Sequence, residues 1–302
     1  MVILMDLRVS AGTAMHIGLK KGKSLEKPTT AYVMIPGDTC RGGCPYCPQA
    51  KGDPKWLSRV SWPRYDISEA VEKIKDSDLT RICLQSPDIK GYEDKIIDSV
   101  EKLKQTDKPI SLSTPPLSRK TLKEVSDTAD RIGIGLDSVT DKIRDKSKPK
   151  YDPKVFWEYI GRASDIYGRK NVTVHLIVGM GETLEEFATT VKKVNSLGSK
   201  VSLFSYLYED DAPDIEYYRQ AQILKYMIED QGMNIDESFD ILYDRPDELE
   251  KIIDDGHMFQ TQGCPGCNRP YYTTRPGEEH RNFPRMPTEE ELMKIKEELG
   301  IV

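Results

Sequence analysis

No segment of this chain carries an apolar run approaching the length of a membrane span, which excludes a spanning helix and a membrane partner with it. Excess positive charge is missing as well: 44 lysines and arginines stand against 50 aspartates and glutamates, a net charge of −6. That balance leaves no basic footprint for a nucleic-acid backbone, so no nucleic acid is expected among the partners. Internal repeats and low-complexity segments are absent too. The opening stretch MVILMDLRVS starts apolar but reaches Asp6 and Arg8 too soon for a secretory core. The expectation is a cytoplasmic protein whose thiols stay reduced. Cysteine is itself scarce, six in 302 residues, and the six are not scattered.

Half of them lie in Cys40-Arg-Gly-Gly-Cys44-Pro-Tyr-Cys47, three thiols within eight residues. In a reducing compartment such a cluster means metal or chemistry rather than disulfides. Three thiolates at this spacing can hold three corners of an iron–sulfur cube, and Gly42 and Gly43 let the loop curl around it. The loop is one ligand short of a closed site, as catalytic metal sites keep an open position. A structural zinc with its fourth ligand elsewhere is the alternative, although zinc sites favour paired C-x2-C units and only half of such a pair is present.

The chain is long enough for one large α/β domain or two small ones. Short apolar runs predict strands over 31–36, 80–86, 109–114, 131–137, 171–179 and 200–208. Amphipathic stretches predict helices near 66–76, 92–105, 118–128, 152–168, 183–197 and 214–231. Strands separated by helices imply right-handed βαβ units and a parallel sheet. Six units are too few for a closed eight-stranded barrel and suit an open, barrel-like one, with catalytic groups at the C-terminal strand ends. The cysteine loop, Cys83, Ser113, Asp137 and Gly179 all fall at or near such ends.

Beyond about residue 240 the pattern changes. RPDELEKIIDDG reads as a short helix ended by Gly256, and a last helix starts at the N-cap Thr288 and closes on Gly300. Between them, 257–287 is irregular and holds Cys264, Cys267, Tyr271, Tyr272 and several arginines. So long an irregular stretch is functional or disordered, and this composition reads as functional.

C-x3-C-x-aromatic-C directly after the first strand of an α/β barrel resembles the radical S-adenosylmethionine (SAM) enzymes. The resemblance implies a partial (β/α)6 TIM-like barrel over 31–235, with an N-terminal extension over 1–30 and a C-terminal extension over 236–302 closing the barrel. It implies that Cys40, Cys44 and Cys47 hold a [4Fe-4S] cluster whose open iron chelates SAM, with reductive cleavage giving a 5′-deoxyadenosyl radical. Tyr46 would then meet the adenine. Ile177-Val-Gly179-Met-Gly181-Glu182-Thr183 resembles the family's G-x-I-x-G-x-x-E element, with His175 in place of the first glycine. There Ile177 and Gly179 would support the adenine; glycines after a strand also mark a plain turn into a helix. Asp137 and Ser138 resemble a ribose- or carboxylate-binding position, or else cap a helix, and Ser113 joins the same set of strand ends. Gln85 and Ser86 stand where the family's glycine-glycine-glutamate often meets the SAM amino group; biotin and lipoyl synthases also lack that element.

Cys83, Cys264 and Cys267 remain. GCPGC is a C-x2-C knuckle suited to metal, zinc included. Cys83 alternates with Ile82 and Leu84, so it faces away from them and toward a barrel cavity, unless it is an inert core thiol. A second-strand cysteine resembles an auxiliary-cluster ligand of biotin synthase-like enzymes. The resemblance implies an auxiliary [4Fe-4S] cluster on Cys83, Cys264 and Cys267, with Arg269, Arg275, His280, Arg281 or a hydroxyl open as fourth ligand. Such a cluster serves as a source of sulfur.

The stretch Gly263-Cys-Pro-Gly-Cys-Asn-Arg-Pro-Tyr-Tyr-Thr-Thr-Arg-Pro-Gly277, with Asn-Phe-Pro-Arg285 after it, resembles the tail of the two-component lipoyl synthases. Ordinary single-chain lipoyl synthases carry auxiliary cysteines near the N-terminus, and none precedes Cys40 here. The implied activity is insertion of sulfur into an octanoyl chain on a lipoyl carrier protein or domain. The implied partners are that carrier, a second radical SAM subunit and a reductant such as ferredoxin. Tyr271, Tyr272 and Phe283 would line an apolar slot or pack the tail, and Arg275, Arg281 and Arg285 would meet an acidic carrier or lie solvated. The alternatives are a biotin synthase-like enzyme, a methylthiolating enzyme or a mutase, and a non-catalytic iron–sulfur or zinc scaffold.

Overall fold

The computed structural model describes residues 5–57, 59–207, 212–269, 273–274 and 277–301. Strand β1 (Asp6–Val9) and helix α1 (Ala11–His16) precede β2 (Thr30–Met34), which runs into the cysteine loop. A short hairpin, β3 (Trp56–Leu57) and β4 (Val60–Ser61), is followed by β5 (Arg64–Asp66) and α2 (Ile67–Lys75). Then come β6 (Arg81–Gln85), α3 (Tyr92–Leu103), β7 (Ile110–Ser113), α4 (Arg119–Ser126) and β8 (Arg131–Asp137). The next elements are α5 (Asp141–Ser147), α6 (Pro153–Tyr167), β9 (Val172–Val178), α7 (Leu184–Ser196), β10 (Lys200–Ser205) and α8 (Ile215–Lys225). The C-terminal part adds α9 (Ile235–Asp244), α10 (Pro246–Asp254) and α11 (Glu289–Glu298).

Eight strands form one sheet in the order β10-β9-β8-β7-β6-β2-β1-β5. From β10 to β2 every neighbouring pair is parallel, which is the expected run of six βα units. β1 and β5 extend it antiparallel. The barrel does not close on itself, since β10 and β5 are the two ends of the sheet.

Side-chain alternation explains why this barrel is hollow. Strands covered on both faces usually read as unbroken apolar runs. Here Ile82, Leu84, Ile110, Leu112, Ile132, Ile134, Val172, Val174, Val201 and Leu203 are fully buried and belong to the main core. Each such side chain contributes about 1.5–3 kcal/mol when taken out of water. The intervening positions are small or polar: Cys83, Gln85, Ser111, Ser113, Gly133, Gly135, Thr173 and His175. These cannot fill a barrel, so they line a cavity. The helices are pinned by local chemistry: Asp66 accepts from Ser68 N and Glu69 N at 2.8 and 3.1 Å to start α2. Thr183 and Glu186 form a reciprocal capping box at α7, and Thr288 and Glu291 form another at α11.

The C-terminal segment reaches from β10 to the residues just before β2. Ser202 Oγ on β10 donates to Gln262 O at 2.6 Å, and Asn282 Nδ2 donates to Leu203 O at 3.0 Å. At the other end Asn268 Oδ1 accepts from Thr29 N at 3.1 Å, just before β2, and its Nδ2 donates to Lys27 O at 2.7 Å. Among the described residues no helix is long and apolar enough to cross a membrane.

Candidate functional site

The cysteine loop leaves β2 through Ile35 and is fixed by its own backbone: Cys40 N donates to Gln49 O at 2.9 Å, and Cys47 N to Cys44 O at 3.1 Å. Gln49 is buried and its side-chain amide ties down Pro54 O at 3.1 Å and Trp56 O at 2.6 Å, so the hairpin holds the loop from behind. Arg41 Nε donates to Asp88 Oδ1 at 3.0 Å, anchoring the loop to the segment after β6. Burial pushes the Cys44 thiol up to about 12, against the pull of Lys148. Burial also raises Cys47, so metal binding here must displace protons.

Beside this loop stands Asp137, at the end of β8. The register to β9 slips between Gly135 and Asp137, and Asp137 takes a left-handed φ of 67°, which turns its carboxylate into the cavity. Lys148 Nζ lies 2.7 Å from Oδ2, and the Tyr46 hydroxyl donates to the same oxygen at 2.8 Å. Burial pushes the Asp137 carboxyl up, but Lys148 and Tyr46 outweigh it and hold the group below 3.8. The Tyr46 ring meets Tyr206 edge-on at 6.2 Å.

The turn after β9 is locked by one carboxylate. Glu182 accepts from Gly179 N at 2.6 Å and from Met180 N at 2.9 Å, and the Tyr217 hydroxyl donates to Glu182 O at 2.6 Å. Ile177 reaches the cavity; Gly179 does not line it and packs instead against Pro213.

The second thiol group forms at the opposite end of the same space. Cys83 faces inward from β6, between the buried Ile82 and Leu84, as alternation requires. The tail loop delivers Cys264 and Cys267, and Cys267 N donates to Cys264 O at 3.0 Å. The Tyr32 hydroxyl on β2 lies 3.3 Å from Cys267 Sγ and accepts from Arg269 N at 2.7 Å. Arg269 turns inward, its guanidinium 4.5 Å from the Phe204 ring and hydrogen-bonded to Ser202 Oγ. Burial raises the Cys83 and Cys267 thiols; the Arg269 charge opposes this at both.

All six cysteines are free and all six line one cavity of about 330 Å³. Tyr46, Gln85, Ser86, Ser113, Asp137 and Ile177 line it as well. Ser138 does not: it is buried behind the wall, its Oγ 3.1 Å from Ser147 Oγ, and the cap of α5 is Thr140. Gln85 turns its side-chain amide to Cys83 Sγ, at 2.8 Å, rather than to the upper end. Tyr271, Tyr272 and Arg275 lie outside the described residues. Phe283 belongs to the core, Arg281 donates to Pro213 O at 2.9 Å, and Arg285 pairs with Glu291 at 2.7 Å, so these pack the tail. Of the fourth-ligand candidates among the described residues, Arg269 lines the cavity, while His280 and Arg281 do not.

Lys148, Tyr32 and Tyr206 were not foreseen. No local signal marks Lys148 or Tyr32, because each acquires its partner only through folding. His175 was foreseen only as a departure from a motif. Its imidazole sits mid-cavity, 5.2 Å from the Phe204 ring, with no hydrogen-bond partner among the described residues. Burial and the Arg269 charge lower it to about 3, so it is neutral.

The donor sets fit iron–sulfur clusters better than single ions. Among the described residues no three of His, Cys, Asp and Glu converge closely enough to hold one metal ion. A tetrahedral zinc would draw its sulfurs to ~3.8 Å of one another. Gly42 keeps the loop open beside the thiols: a Cβ placed on it would stand 3.5 Å from Cys40 Sγ and 3.7 Å from Cys44 Sγ.

The sequence profile of the radical SAM superfamily matches residues 34–194. A lipoyl synthase from Sulfolobus acidocaldarius is 22% identical over 215 residues, covering 65% of this chain and 69% of the relative. The crystal structure of methylornithine synthase (PylB) superposes with a TM-score of 0.50 at 14% identity, over 67% of this chain and 58% of that one. Coproporphyrinogen III oxidase from Escherichia coli, a radical SAM enzyme, aligns over 50% of this chain and 41% of its own, with a TM-score of 0.40 and 16% identity.

Proposed function

The chain belongs to the radical SAM superfamily, and on that footing we propose that it inserts sulfur into a protein-bound octanoyl chain, as one subunit of a lipoyl synthase. Membership implies a [4Fe-4S] cluster and SAM. When bound, these supply a 5′-deoxyadenosyl radical, and a second cluster supplies sulfur. Cys40, Cys44 and Cys47 would hold the first cluster and Cys83, Cys264 and Cys267 the auxiliary one. The observation that carries the reading is that two thiol triplets line one cavity, one from the loop after β2 and one that joins Cys83 of β6 to Cys264 and Cys267 of the C-terminal segment.

The chain's own residues would divide the work by position. Tyr46, Ser86, Ser113, Asp137 and Ile177 surround the upper end, where SAM would lie. Lys148 keeps Asp137 ionised and oriented there, at 2.7 Å. Glu182 holds the turn beyond Ile177 rigid through its two backbone hydrogen bonds. Met34, Leu57, Ile177 and Phe204 would give an alkyl chain its apolar contacts between the two thiol groups. The partners would be the octanoylated carrier, a second radical SAM subunit and a reductant such as ferredoxin.

One observation favours a second reading. Ser111, Ser113, Thr173 and His175 make one wall of the cavity polar, which suits the functionalised substrate of a biotin synthase-like enzyme with an auxiliary cluster. Mass spectrometry of an octanoylated lipoyl-domain peptide, incubated with enzyme, partner subunit, SAM and reductant, separates the two. A gain of one or two sulfurs is expected; no gain, with 5′-deoxyadenosine still formed, rejects lipoylation. Iron analysis comes first: reconstituted protein should carry about eight irons, and about four after Cys83, Cys264 and Cys267 are all replaced by alanine.

A further inference from the structure

Two neutral donors are aimed at the second thiol group, and neither has a role in the reading above, on which this inference rests. Gln85 Nε2 lies 2.8 Å from Cys83 Sγ, and the Tyr32 hydroxyl lies 3.3 Å from Cys267 Sγ. The direction of the second bond follows from its neighbour. Arg269 N–H already donates to the Tyr32 oxygen at 2.7 Å, and a metal-bound thiolate has no hydrogen to give, so the phenol hydrogen goes to sulfur. The –NH2 end of Gln85 is likewise the only end that a thiolate accepts.

Both donors are fixed by the sheet. Tyr32 and Cys83 are register partners on β2 and β6, and Gln85 follows two positions after Cys83 on the same face. The Tyr32 ring is buried with Met34, Trp62 and Leu57, so its hydroxyl cannot swing away. Among the described residues no side-chain hydrogen bond reaches Cys264.

We propose that Tyr32 and Gln85 are positioning residues of the auxiliary site, donating hydrogen bonds to the ligating thiolates of Cys267 and Cys83 and raising the reduction potential of the centre they hold. The reason is electrostatic: a donor at a thiolate stabilises added negative charge, and hydrogen bonds to sulfur set cluster potentials. The added charge has a source in sulfur transfer. A cluster held there would supply sulfur as sulfide: one electron of a sulfide pair would join the carbon radical's electron in the new carbon–sulfur bond, and the other electron of that pair would be left on the centre, reducing it by one. Donors at the thiolates favour that step.

The test uses the full chain, reconstituted anaerobically, with the two couples followed by spectroscopic redox titration. Tyr32→Phe and Gln85→Leu should each move the auxiliary couple to lower potential, and the double variant should move it furthest. The couple of the Cys40–Cys44–Cys47 centre should stay in place. If Tyr32→Phe loads no second centre, Gln85→Leu decides. An auxiliary couple unmoved in Gln85→Leu, equal shifts of both couples, or weakened SAM binding with no shift would each overturn the inference. A wild-type protein with a single centre would instead overturn the functional reading beneath it.

Discussion

Lys148 Nζ stands 2.7 Å from Asp137 Oδ2, an ion pair in the cavity wall beside the first cysteine group. It is built by a strand that slips register and a residue at the end of α5, two features without meaning until they meet.

Lys148→Met leaves a buried carboxylate without its cation. A loss of about 3 kcal/mol is expected in urea denaturation, with SAM binding weakened about tenfold or more. The pH sign follows from Asp137 being held below 3.8. Its contribution is complete above that value and is lost as pH falls through the lower folded one. Lys148→Met should therefore shift the acid-unfolding midpoint upward, which circular dichroism at a series of pH values would read.

His175 supplies the opposite case. Held neutral to about pH 3, it takes up no proton in the folded state while the unfolded chain protonates near 6.5. Stability is lost as pH drops through that window, by about 2 kcal/mol between pH 7 and pH 5. His175→Leu should flatten this part of the profile. Equal pH slopes for variant and wild type in urea titrations of the metal-free protein would contradict it.

Gly179 and Gly181 share left-handed backbones, φ 99° and 105°, but not surroundings. A Cβ at Gly179 would strike the Pro213 ring at 2.6 Å, whereas one at Gly181 meets nothing within 4 Å. Gly179→Ala should cost about 3 kcal/mol and Gly181→Ala about 1 kcal/mol, the difference being the clash. Thermal melts of the two variants check the order.

Asn268 ties the tail to the segment before β2 with bonds to Thr29 N, Thr29 Oγ1 and Lys27 O, at 3.1, 3.0 and 2.7 Å. Asn268→Ala should cost about 2 kcal/mol and speed limited proteolysis between residues 260 and 280. Protease resistance like that of the wild type would show the tail is held elsewhere.

All six parallel strands and their helices were legible in the sequence, within a few residues, because apolar runs and amphipathic stretches alternate cleanly. So was the inward aim of Cys83, a matter of strand parity. β1, β5 and the Trp56–Ser61 hairpin were not, being two to four residues long and stable only against strands already in place. The site was legible where a motif is local, as in the 40–47 loop. It was illegible at Lys148 and Tyr32, whose partners lie 11 and 235 residues away. Ser138 follows the inward Asp137 by one position and turns to the other side, where its hydroxyl meets Ser147, so it does not share the binding position that the resemblance implied for both.

β10 ends the sheet, and two of its outward backbone groups are met by side chains: Val201 N donates to Glu229 Oε2 at 2.7 Å, and Leu203 O accepts from Asn282 Nδ2 at 3.0 Å. An uncovered edge strand is a template on which another chain can pair. The segment that brings Cys264 and Cys267 into the cavity thus also guards the protein against its own copies. Cutting it away would remove a metal site and a safeguard together, and the shortened chain would precipitate. Replacing the two cysteines alone leaves the guard standing.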